Sequence, residues 1–349
     1  MGLFASFSII LAAAASVRAG YNAASKSNVV LYWGQNSAGQ QSTQSRLSTY
    51  CDANVDVLLL SFLLRFSGTN GQPILNFANA GDNCTLFAGT ETFNCPQIAY
   101  TLAMATILPP LTPFLQQGLV NLLHRADIKT CQGKGKTIML SIGGDSYNEG
   151  GFTSAALATA AADKIWAMFG PVQSSSGALR PFADSVLDGF DFDFEANVSN
   201  MATFANQLRT RMNAATGKRK DILTNVPLDW VNVQFYNNYC ATRSYTPGTN
   251  TQNNFNFQQW DTWAKASKNP AAKVLLGVPA NTGAAGAGYY QTATALQPVI
   301  QYSAQFSSFG GVMMWDASQA WTNPGFVASI KSFLTGLKKR QMRWGLRQE

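Results

Sequence analysis

The fold is decided by the stretch Asp188-Gly189-Phe190-Asp191-Phe192-Asp193-Phe194-Glu195. Side chains on a β-strand point alternately to opposite faces, so every second residue lies on the same side. Asp191, Asp193 and Glu195 therefore share one face of the predicted strand, with neighbouring carboxyl groups about 6.5–7 Å apart. The three phenylalanines between them share the other face, where helices would cover them.

A row of carboxyl groups lining the inside of a barrel indicates catalysis rather than packing. Burying several carboxylates together costs free energy unless some of them stay protonated near neutral pH. A carboxylic acid that keeps its proton can donate it to a leaving-group oxygen. The alternatives are a solvated edge strand, which would not carry an unbroken phenylalanine face, and a calcium loop, which needs turn residues between its ligands. We therefore predict an acid-catalysed reaction with Glu195 as the proton donor.

Six further apolar runs, each followed by turn residues, predict the other strands of a parallel sheet. Near-continuous Val, Ile, Leu and Phe content is typical of parallel strands that helices cover. The seven predicted strands are Asn28–Trp33, Val55–Phe62, Lys136–Ile142, Val186–Phe194, Val231–Tyr236, Lys273–Val278 and Gly311–Trp315. Stretches between them, such as Ala155–Phe169 and Ser199–Ala215, have helical composition. This recurring order predicts the α/β class, as a single-domain (β/α)8 TIM barrel.

The composition excludes several other classes of protein. The chain has 349 residues, of which 46% are hydrophobic and 12% charged, which argues for a large core and against a disordered or coiled-coil protein. No short repeat is present, which argues against a solenoid. The five cysteines lack the spacing of a zinc site and His124 is the only histidine. We therefore expect no metal site and no cofactor.

The start of the chain has the pattern of a secretory signal. Residues 1–19 are predicted to be a signal peptide, because Leu3–Val17 is almost wholly apolar and small residues flank Arg18 at the cleavage positions. The alternative is a buried N-terminal helix. No later stretch reaches the roughly 18–20 uninterrupted apolar residues of a membrane span. We expect a secreted protein, extracellular or in the cell wall, with no membrane partner once the signal is removed.

The end of the chain is basic. We assign residues 20–336 to the barrel and residues 337–349 to a C-terminal tail, which carries five of the 25 basic residues and one acidic residue. Such a tail could contact anionic wall polymers or nucleic acid, or it could be a solvated terminus. The sequence contains no nucleic-acid-binding module, and we expect no nucleic acid partner.

Five motifs in order along the chain resemble those of a known enzyme family. They are Tyr32-Trp33-Gly34-Gln35-Asn36, Ser141-Ile142-Gly143-Gly144, the acidic segment, Val233-Gln234-Phe235-Tyr236-Asn237-Asn238 and Gly310-Gly311-Val312-Met313-Met314-Trp315. The acidic segment resembles the DxxDxDxE signature of glycoside hydrolase family 18. The other four are similar to the plant-type, or class III, chitinases of that family, a hevamine-like branch that also occurs in fungi. The resemblance runs from about residue 28 to about residue 334.

The resemblance implies an endo-type chitinase that hydrolyses β-1,4-N-acetylglucosamine linkages. Such enzymes retain configuration without a protein nucleophile, because the N-acetyl oxygen of the substrate attacks the anomeric carbon. Glu195 would protonate the glycosidic oxygen and later activate water. Asp193 would orient the acetamido group and stabilise the oxazolinium-like intermediate, with Asp191 tuning its charge.

The resemblance also implies which residues hold the substrate. Tyr236 would donate a hydrogen bond to the acetamido oxygen, assisted by Gln234. Trp315 would form the floor under the sugar at the cleavage point. Tyr32 and Asn237 are further candidate substrate-binding residues. Chitin or chito-oligosaccharides are the expected partners, and the protein is expected to act as a monomer.

Two regions depart from the family pattern. Residues 100–124 are predicted to be an anomalous insertion of 25 residues, which contains Pro109, Pro110 and Pro113. The fifth βα unit is predicted to be truncated, because Ile222-Leu223-Thr224 begins like its strand, whereas the next four residues already resemble the approach to the sixth.

The truncation bears on the cysteines. Family members carry a cysteine in the fifth unit that pairs with the one after the Tyr-Asn-Asn motif. The resemblance therefore implies disulfides Cys51–Cys131 and Cys84–Cys95, with Cys240 left unpaired. Asn83 and Asn197 each begin a glycosylation sequon.

Two other functions stay open on the same barrel. One is a catalytically impaired chitin-binding lectin, although such proteins typically lose the terminal acid that Glu195 supplies here. The other is an endo-β-N-acetylglucosaminidase acting on N-glycan cores, which the same acidic strand permits.

Overall fold

The structure of the protein, a computed structural model, describes residues 20–95, 98, 127–215 and 227–345, with side chains described as far as residue 337. Its strands are β1 Asn28–Trp33, β2 Val57–Arg65, β3 Ile74–Leu75, β4 Thr85–Leu86, β5 Phe93–Asn94, β6 Thr137–Gly143, β7 Gly189–Asp193, β8 Trp230–Gln234, β9 Lys273–Pro279 and β10 Phe309–Trp315. Its α-helices are α1 Asp127–Gly133, α2 Ala155–Phe169, α3 Met201–Ala214, α4 Phe257–Ala266, α5 Ala293–Ser303, α6 Ala317–Trp321 and α7 Phe326–Gly345. The predicted signal peptide, the insertion at 100–124 and the strand start at 222–224 lie outside the described residues.

Seven parallel strands form one curled sheet in the order β7-β6-β2-β1-β10-β9-β8. The first and last of these strands in the chain pair with each other, with Asn28 opposite Gly311. Each of the seven predicted strands corresponds to one of them, and helices follow the strands on the outside. This is the α/β barrel that the sequence predicts. In the described part of the chain, β7 and β8 are the two edge strands of this sheet. They are the strands that precede and follow the fifth βα unit in the sequence.

Alternation along β1 separates two apolar layers. Val29, Leu31 and Trp33 belong to the large core cluster, which includes the buried faces of the helices. Val30 and Tyr32 belong to a smaller cluster that draws on β1, β2, β6, β8, β9 and β10. Because nearly every strand of the sheet contributes to it, this second cluster is the inside of the barrel, and Tyr32 points inward.

Two helices lie where their composition predicts them. Helix α2 has the predicted bounds and begins after Ser154, whose Oγ accepts a hydrogen bond from the Leu157 backbone N–H at 3.2 Å. Helix α3 begins at Met201, two residues later than predicted. The reason is Asn200, whose left-handed φ of 56° keeps it outside the helix.

The last helix continues past the predicted start of the basic tail. Helix α7 ends at Gly345, so the boundary predicted between residues 336 and 337 falls inside a helix rather than at its end. Among the residues that the structure describes, no helix combines the length and the apolar content needed to cross a membrane.

Both implied disulfides are present. Cys51–Cys131 joins the segment after β1 to helix α1, with Cα atoms 5.4 Å apart. Cys84–Cys95 closes the hairpin of β4 and β5, with Cα atoms 4.5 Å apart. Cys240 is a free thiol and half-buried. Each bridge closes a loop of the chain, which restricts the unfolded state and so stabilises the fold.

Candidate active site

The acidic segment lies at the carboxyl end of β7 with the predicted alternation. Asp191 and Asp193 are half-buried on the inner face. On the outer face Phe190 is buried in the large core cluster, and the Phe192 ring lies 5.8 Å from that of Phe204 on α3. Packing against the helices therefore fixes the strand so that its carboxyl groups face the inside of the barrel.

Asp191 is held by donors from three other strands. Tyr32 Oη on β1 donates to Oδ2 at 3.0 Å, and Ser141 Oγ on β6 donates to the same oxygen at 2.7 Å. Asn232 Nδ2 on β8 donates to Oδ1 at 3.4 Å. Burial raises the pKa of Asp191, and the three hydrogen bonds oppose that rise because they favour the carboxylate.

Asp193 is the next acid on this face, and its surroundings disfavour its charge. Its Oδ1 accepts a long hydrogen bond of 3.5 Å from Gln234 Nε2. Burial raises the pKa of Asp193 to about 8, and the charges of Asp191, Glu195 and Asp145 add to the rise. Among the described residues, no lysine or arginine lies within ion-pair distance of its carboxyl group. These surroundings therefore favour the protonated form of Asp193.

Glu195 stands at the rim of the barrel, two residues beyond the end of β7. Its side chain is exposed, whereas the sequence predicts all three acids inside. The pairing of β7 with β6 ends at Asp193, opposite Gly143, so the chain leaves the wall before Glu195. Glu195 Oε1 accepts a hydrogen bond from Gln234 Nε2 at 3.3 Å. The Gln234 amide thus contacts both acids and links the rim to the interior.

Tyr236 is buried next to the acids, with 5% of its surface exposed. Burial raises the pKa of Tyr236, and the charges of Asp193, Glu195 and Asp316 raise it further. Burial is also the first cause of a raised pKa at Tyr32, followed by the neighbouring aspartates. Both phenols therefore keep their protons and can act as O–H donors.

Aromatic rings form the inner wall beside the acids. Trp315 is half-buried at the end of β10, and its ring centroid lies 5.4 Å from that of Tyr32. It stacks on Phe62 at 6.1 Å with an interplanar angle of 20°. An indole fixed in this way offers a flat apolar face to a ligand.

A glycine allows β6 and β7 to meet at the site. Gly143 has a φ of 116°, and a Cβ there would lie 2.4 Å from the backbone oxygen of Asp193. The Gly144 N–H donates to that same oxygen at 2.7 Å. Any side chain at position 143 would displace the backbone that carries Asp193, so this part of the Ser-Ile-Gly-Gly motif positions an acid.

Asn237 is exposed and turns the chain at the end of β8. Its φ is 57°, and its Oδ1 accepts a hydrogen bond from the Gly286 N–H at 2.8 Å. The resemblance implies that Asn237 binds substrate. In the structure its carbonyl oxygen holds the loop that follows β9, which gives it a positioning role.

Comparison with known proteins identifies the family. Residues 28–289 match the family Glycosyl hydrolases family 18. The chain is 47% identical to "Endochitinase 33" of Trichoderma harzianum, over 93% of this chain and 97% of that protein. It is 42% identical to "Class III chitinase" of Arthroderma benhamiae, over 97% and 94%. The chain belongs to glycosyl hydrolase family 18.

Solved structures extend the comparison to the fold. A chitinase from Ipomoea carnea has a TM-score of 0.61 and 26% identity, covering 88% of this family 18 chain and 99% of its own. A xylanase and α-amylase inhibitor protein from Scadoxus multiflorus has a TM-score of 0.60 and 25% identity, covering 87% and 97%. The same barrel thus carries proteins named as a chitinase and as an inhibitor. The activity has to be argued from the side chains of the site.

The family 18 signature identifies the acids of β7 but not their partners. Ser141 lies in a quoted motif without a predicted role, and its contact with Asp191 depends on the register between strands. Asn232 was not predicted. The alternation that places Gln234 and Tyr236 on one face of the predicted strand also places Asn232 there, so the sequence contained the signal.

The polar face continues inward from the family 18 acids. A cavity of about 80 Å³ lies between β7 and β8, lined among others by Asp191, Asp193, Trp230 and Asn232. The Oδ1 atom of Asn232 is buried there without a hydrogen-bond partner among the described residues. In the described part of the chain, no three His, Cys, Asp or Glu side chains are arranged to hold a metal ion. The residues present support acid–base chemistry of carboxyl groups.

Proposed function

We propose that the protein is a secreted, endo-acting chitinase that cleaves β-1,4-N-acetylglucosamine linkages by a substrate-assisted, retaining mechanism. The observation that carries the proposal is the series of acids Asp191, Asp193 and Glu195 at the carboxyl end of β7, beside the Tyr236 phenol. The first two are half-buried and the third is exposed. Active sites of α/β barrels assemble at this end of the strands. Family 18 membership and relatives named endochitinase and class III chitinase support the substrate class.

In the first step Glu195 is the general acid. Its proton passes to the glycosidic oxygen as the C1–O bond breaks, and the acetamido carbonyl oxygen of the substrate bonds to C1. In the second step the Glu195 carboxylate takes a proton from water, whose oxygen attacks C1 and opens the oxazolinium ring. Two inversions at C1 give net retention. The exposed position of Glu195 supports this role, because the bridging oxygen of a polysaccharide has to reach the donor.

The other side chains orient the acetamido group. A carboxyl oxygen of Asp193 accepts its N–H, which stabilises the positive charge that develops on the ring, while the charge of Asp191 tunes the ionisation of Asp193. The Tyr236 O–H donates to the acetamido oxygen, and the hydrogen bonds of Gln234 to Asp193 and Glu195 hold those acids in place. These donors and acceptors are fixed before substrate binds, so little reorganisation accompanies the reaction.

Trp315 is the proposed floor under the sugar. Its half-exposed ring, stacked on Phe62, presents a flat face that matches the C–H face of a pyranose. Tyr32 contacts the edge of this ring and donates to Asp191. We therefore propose that Tyr32 contributes to substrate binding indirectly, by positioning Trp315 and Asp191.

The test is turnover of a fluorogenic chitobiose glycoside by recombinant protein beginning at Gly20. Glu195→Gln removes the donated proton, and we expect kcat/KM to fall by at least about 100-fold. The side chain is exposed, so the melting temperature should stay that of the parent. Asp184→Asn, which changes an exposed acid paired with Lys129, is the matched control and should retain full activity. Wild-type protein without turnover, or a fully active Glu195→Gln, would refute the proposal.

The alternative lectin function differs in one measurable respect. A lectin on this barrel would bind chitin beads without releasing reducing ends, whereas the proposed enzyme releases them. An endo-β-N-acetylglucosaminidase would instead release N-glycans from a denatured glycoprotein. The intact acidic face favours the chitinase over the lectin.

Secretion and a monomeric state are part of the proposal. The two disulfides support an oxidising compartment. We expect the N-terminal sequence of protein recovered from a culture medium to begin at Gly20, and gel filtration to give the mass of one chain. Recovery from the cell interior with residues 1–19 attached would contradict secretion.

A further inference from the structure

Tyr239 is the most exposed of the large apolar side chains in the described part of the chain. It is 91% exposed, whereas Leu86, Leu157 and Val172 are 54–56% exposed. These three are aliphatic, and Leu157 and Val172 lie on or just after α2 on the outer wall. Tyr239 follows β8 at the carboxyl end of the barrel, three residues after Tyr236.

The backbone under this ring is fixed although the ring itself is free. Asn238 Nδ2 donates to the backbone oxygens of Gln234 and Tyr236, both at 2.8 Å. Asn238 Oδ1 accepts from the Cys240 N–H at 3.0 Å. The backbone oxygen of Tyr239 accepts from Ser244 Oγ, also at 3.0 Å. Four hydrogen bonds thus hold the backbone that carries the exposed ring.

The Tyr239 loop is continuous with the proposed site. Gln234, whose backbone oxygen Asn238 contacts, also donates from its side chain to Glu195. On the other side of the loop, Arg243 lies over the Tyr289 ring at 3.9 Å, and Asn237 holds Gly286. The backbone that carries the ring is therefore linked on one side to Gln234, which contacts the proton donor, and on the other side to neighbours that contact the loop after β9.

We propose that the Tyr239 ring is a stacking platform for a sugar of the chitin chain beyond the residue being cleaved. The inference rests on the proposed function. A tyrosine ring has only two side-chain torsions to immobilise, so it loses little side-chain entropy on binding, and it offers a flat face to the C–H face of a pyranose. In this proposal an extended polymer that crosses the rim of the site would reach the ring, whereas a disaccharide glycoside bound at the cleavage point would not.

The consequence is a preference for long substrates. Tyr239→Ala should raise the KM for chitohexaose by about five- to tenfold relative to the KM for the chitobiose glycoside, because one stacking contact is lost. Tyr239→Trp, which keeps a flat face, should restore the ratio of the two KM values. Val172→Ala, an exposed apolar residue on the outer wall, is the matched control and should leave the ratio unchanged.

Each other outcome has a definite meaning. A proportional loss on both substrates would show that Tyr239 only supports the backbone near Tyr236, and it would overturn the proposal. An unchanged ratio would overturn it too, and a change in gel-filtration mass in that case would assign the ring to a contact between copies of this chain. Failure of the wild type on both substrates would refute the proposed function. Weaker retention of Glu195→Gln/Tyr239→Ala than of Glu195→Gln on chitin beads would then still test the platform.

Discussion

The two ends of the barrel treat buried charge in opposite ways. At the amino ends of the strands, the Asp56 carboxylate lies 2.5 Å from Lys331 Nζ and accepts the Val29 N–H at 2.7 Å. The nearby Lys136 Nζ donates to the Val55 backbone oxygen at 2.6 Å. Asp56, Lys331 and Lys136 thus each have a polar partner, as expected where charges serve stability.

At the carboxyl ends, like charges are gathered together instead. Asp191, Asp193 and Glu195 follow one another along one face of the chain, and in the described part of the chain no cation lies within ion-pair distance of them. The cost appears as a pKa of about 8 at Asp193, set first by burial and then by the neighbouring acids. Such an arrangement weakens the fold but brings the pKa of Asp193 into the range of neutral pH. The paired charges at the amino ends stabilise the barrel, and this stability offsets the destabilisation by the crowded acids at the carboxyl ends.

Lys331→Met removes the cation of the Asp56 pair and should cause the largest loss of stability. The substitution leaves Asp56 half-buried without its cation, and we expect the free energy of unfolding to fall by about 2 kcal/mol. Urea unfolding measures this change. The kcat of the folded fraction should not change, because the pair lies at the opposite end of the strands from Glu195.

Lys129→Met is the control for that experiment. Its ion pair with Asp184 is exposed, with side chains 43% and 58% accessible, so its loss should cost less than about 0.5 kcal/mol. If both variants lost the same free energy of unfolding, the ion pair at the amino ends of the strands would contribute no more than an exposed one.

Asp193→Asn relieves the crowded end and should change how stability depends on pH. The native pKa of Asp193 is raised to about 8, above the unfolded value of about 3.9. Between these values the native state binds a proton that the unfolded state has lost, so stability falls as pH rises. Asparagine is neutral at every pH, so between pH 5 and pH 8 the stability of the variant relative to the parent should rise by about 1 kcal/mol for each pH unit. Urea unfolding at several pH values measures this difference.

Asp163→Asn provides a control of opposite sign. The Arg211 guanidinium lowers the pKa of Asp163, so this acid adds stability that is lost as pH falls. Its replacement should therefore cost more at pH 7 than at pH 3. If both variants shifted stability in the same direction with pH, the contrast between paired and crowded carboxyl groups would be wrong.

The hydrophobic pattern of the sequence predicted the seven parallel strands of the barrel. Where the observed bounds of a strand differ from the predicted ones, the cause is local. β1 has the predicted bounds, since it is buried on both faces along its length. β2 extends to Arg65 rather than residue 62 because it also pairs with the short antiparallel strand Ile74–Leu75. That strand was not predicted, because its apolar run is too short. β7 ends at Asp193, one residue early, because its partner strand ends at Gly143.

The site was predictable along each strand but not between strands. Alternation alone places Asp191 and Asp193 on the same face of one strand. It likewise places Gln234 and Tyr236 on the same face of another strand. That Ser141 meets Asp191 depends on register, which a single strand does not encode. The pKa of Asp193 depends on how deeply the strand is buried. Glu195 was predicted inside the barrel and stands at its rim, because the strand period stops applying once pairing stops.

Asn232→Val tests the weakest of the predicted contributions, the 3.4 Å hydrogen bond to Asp191. The amide favours the Asp191 carboxylate and so lowers its pKa; its removal should raise that pKa. If ionised Asp191 tunes Asp193 during catalysis, the acid limb of the kcat/KM profile should move to higher pH, with a loss of about threefold near the optimum. Val231→Ala, one residue away and therefore on the other face of the strand, should leave the acid limb in place. A uniform loss of activity with no displacement of the profile would mean that Asn232 only fills space, and that the crowded end is tuned by Tyr32 and Ser141 alone.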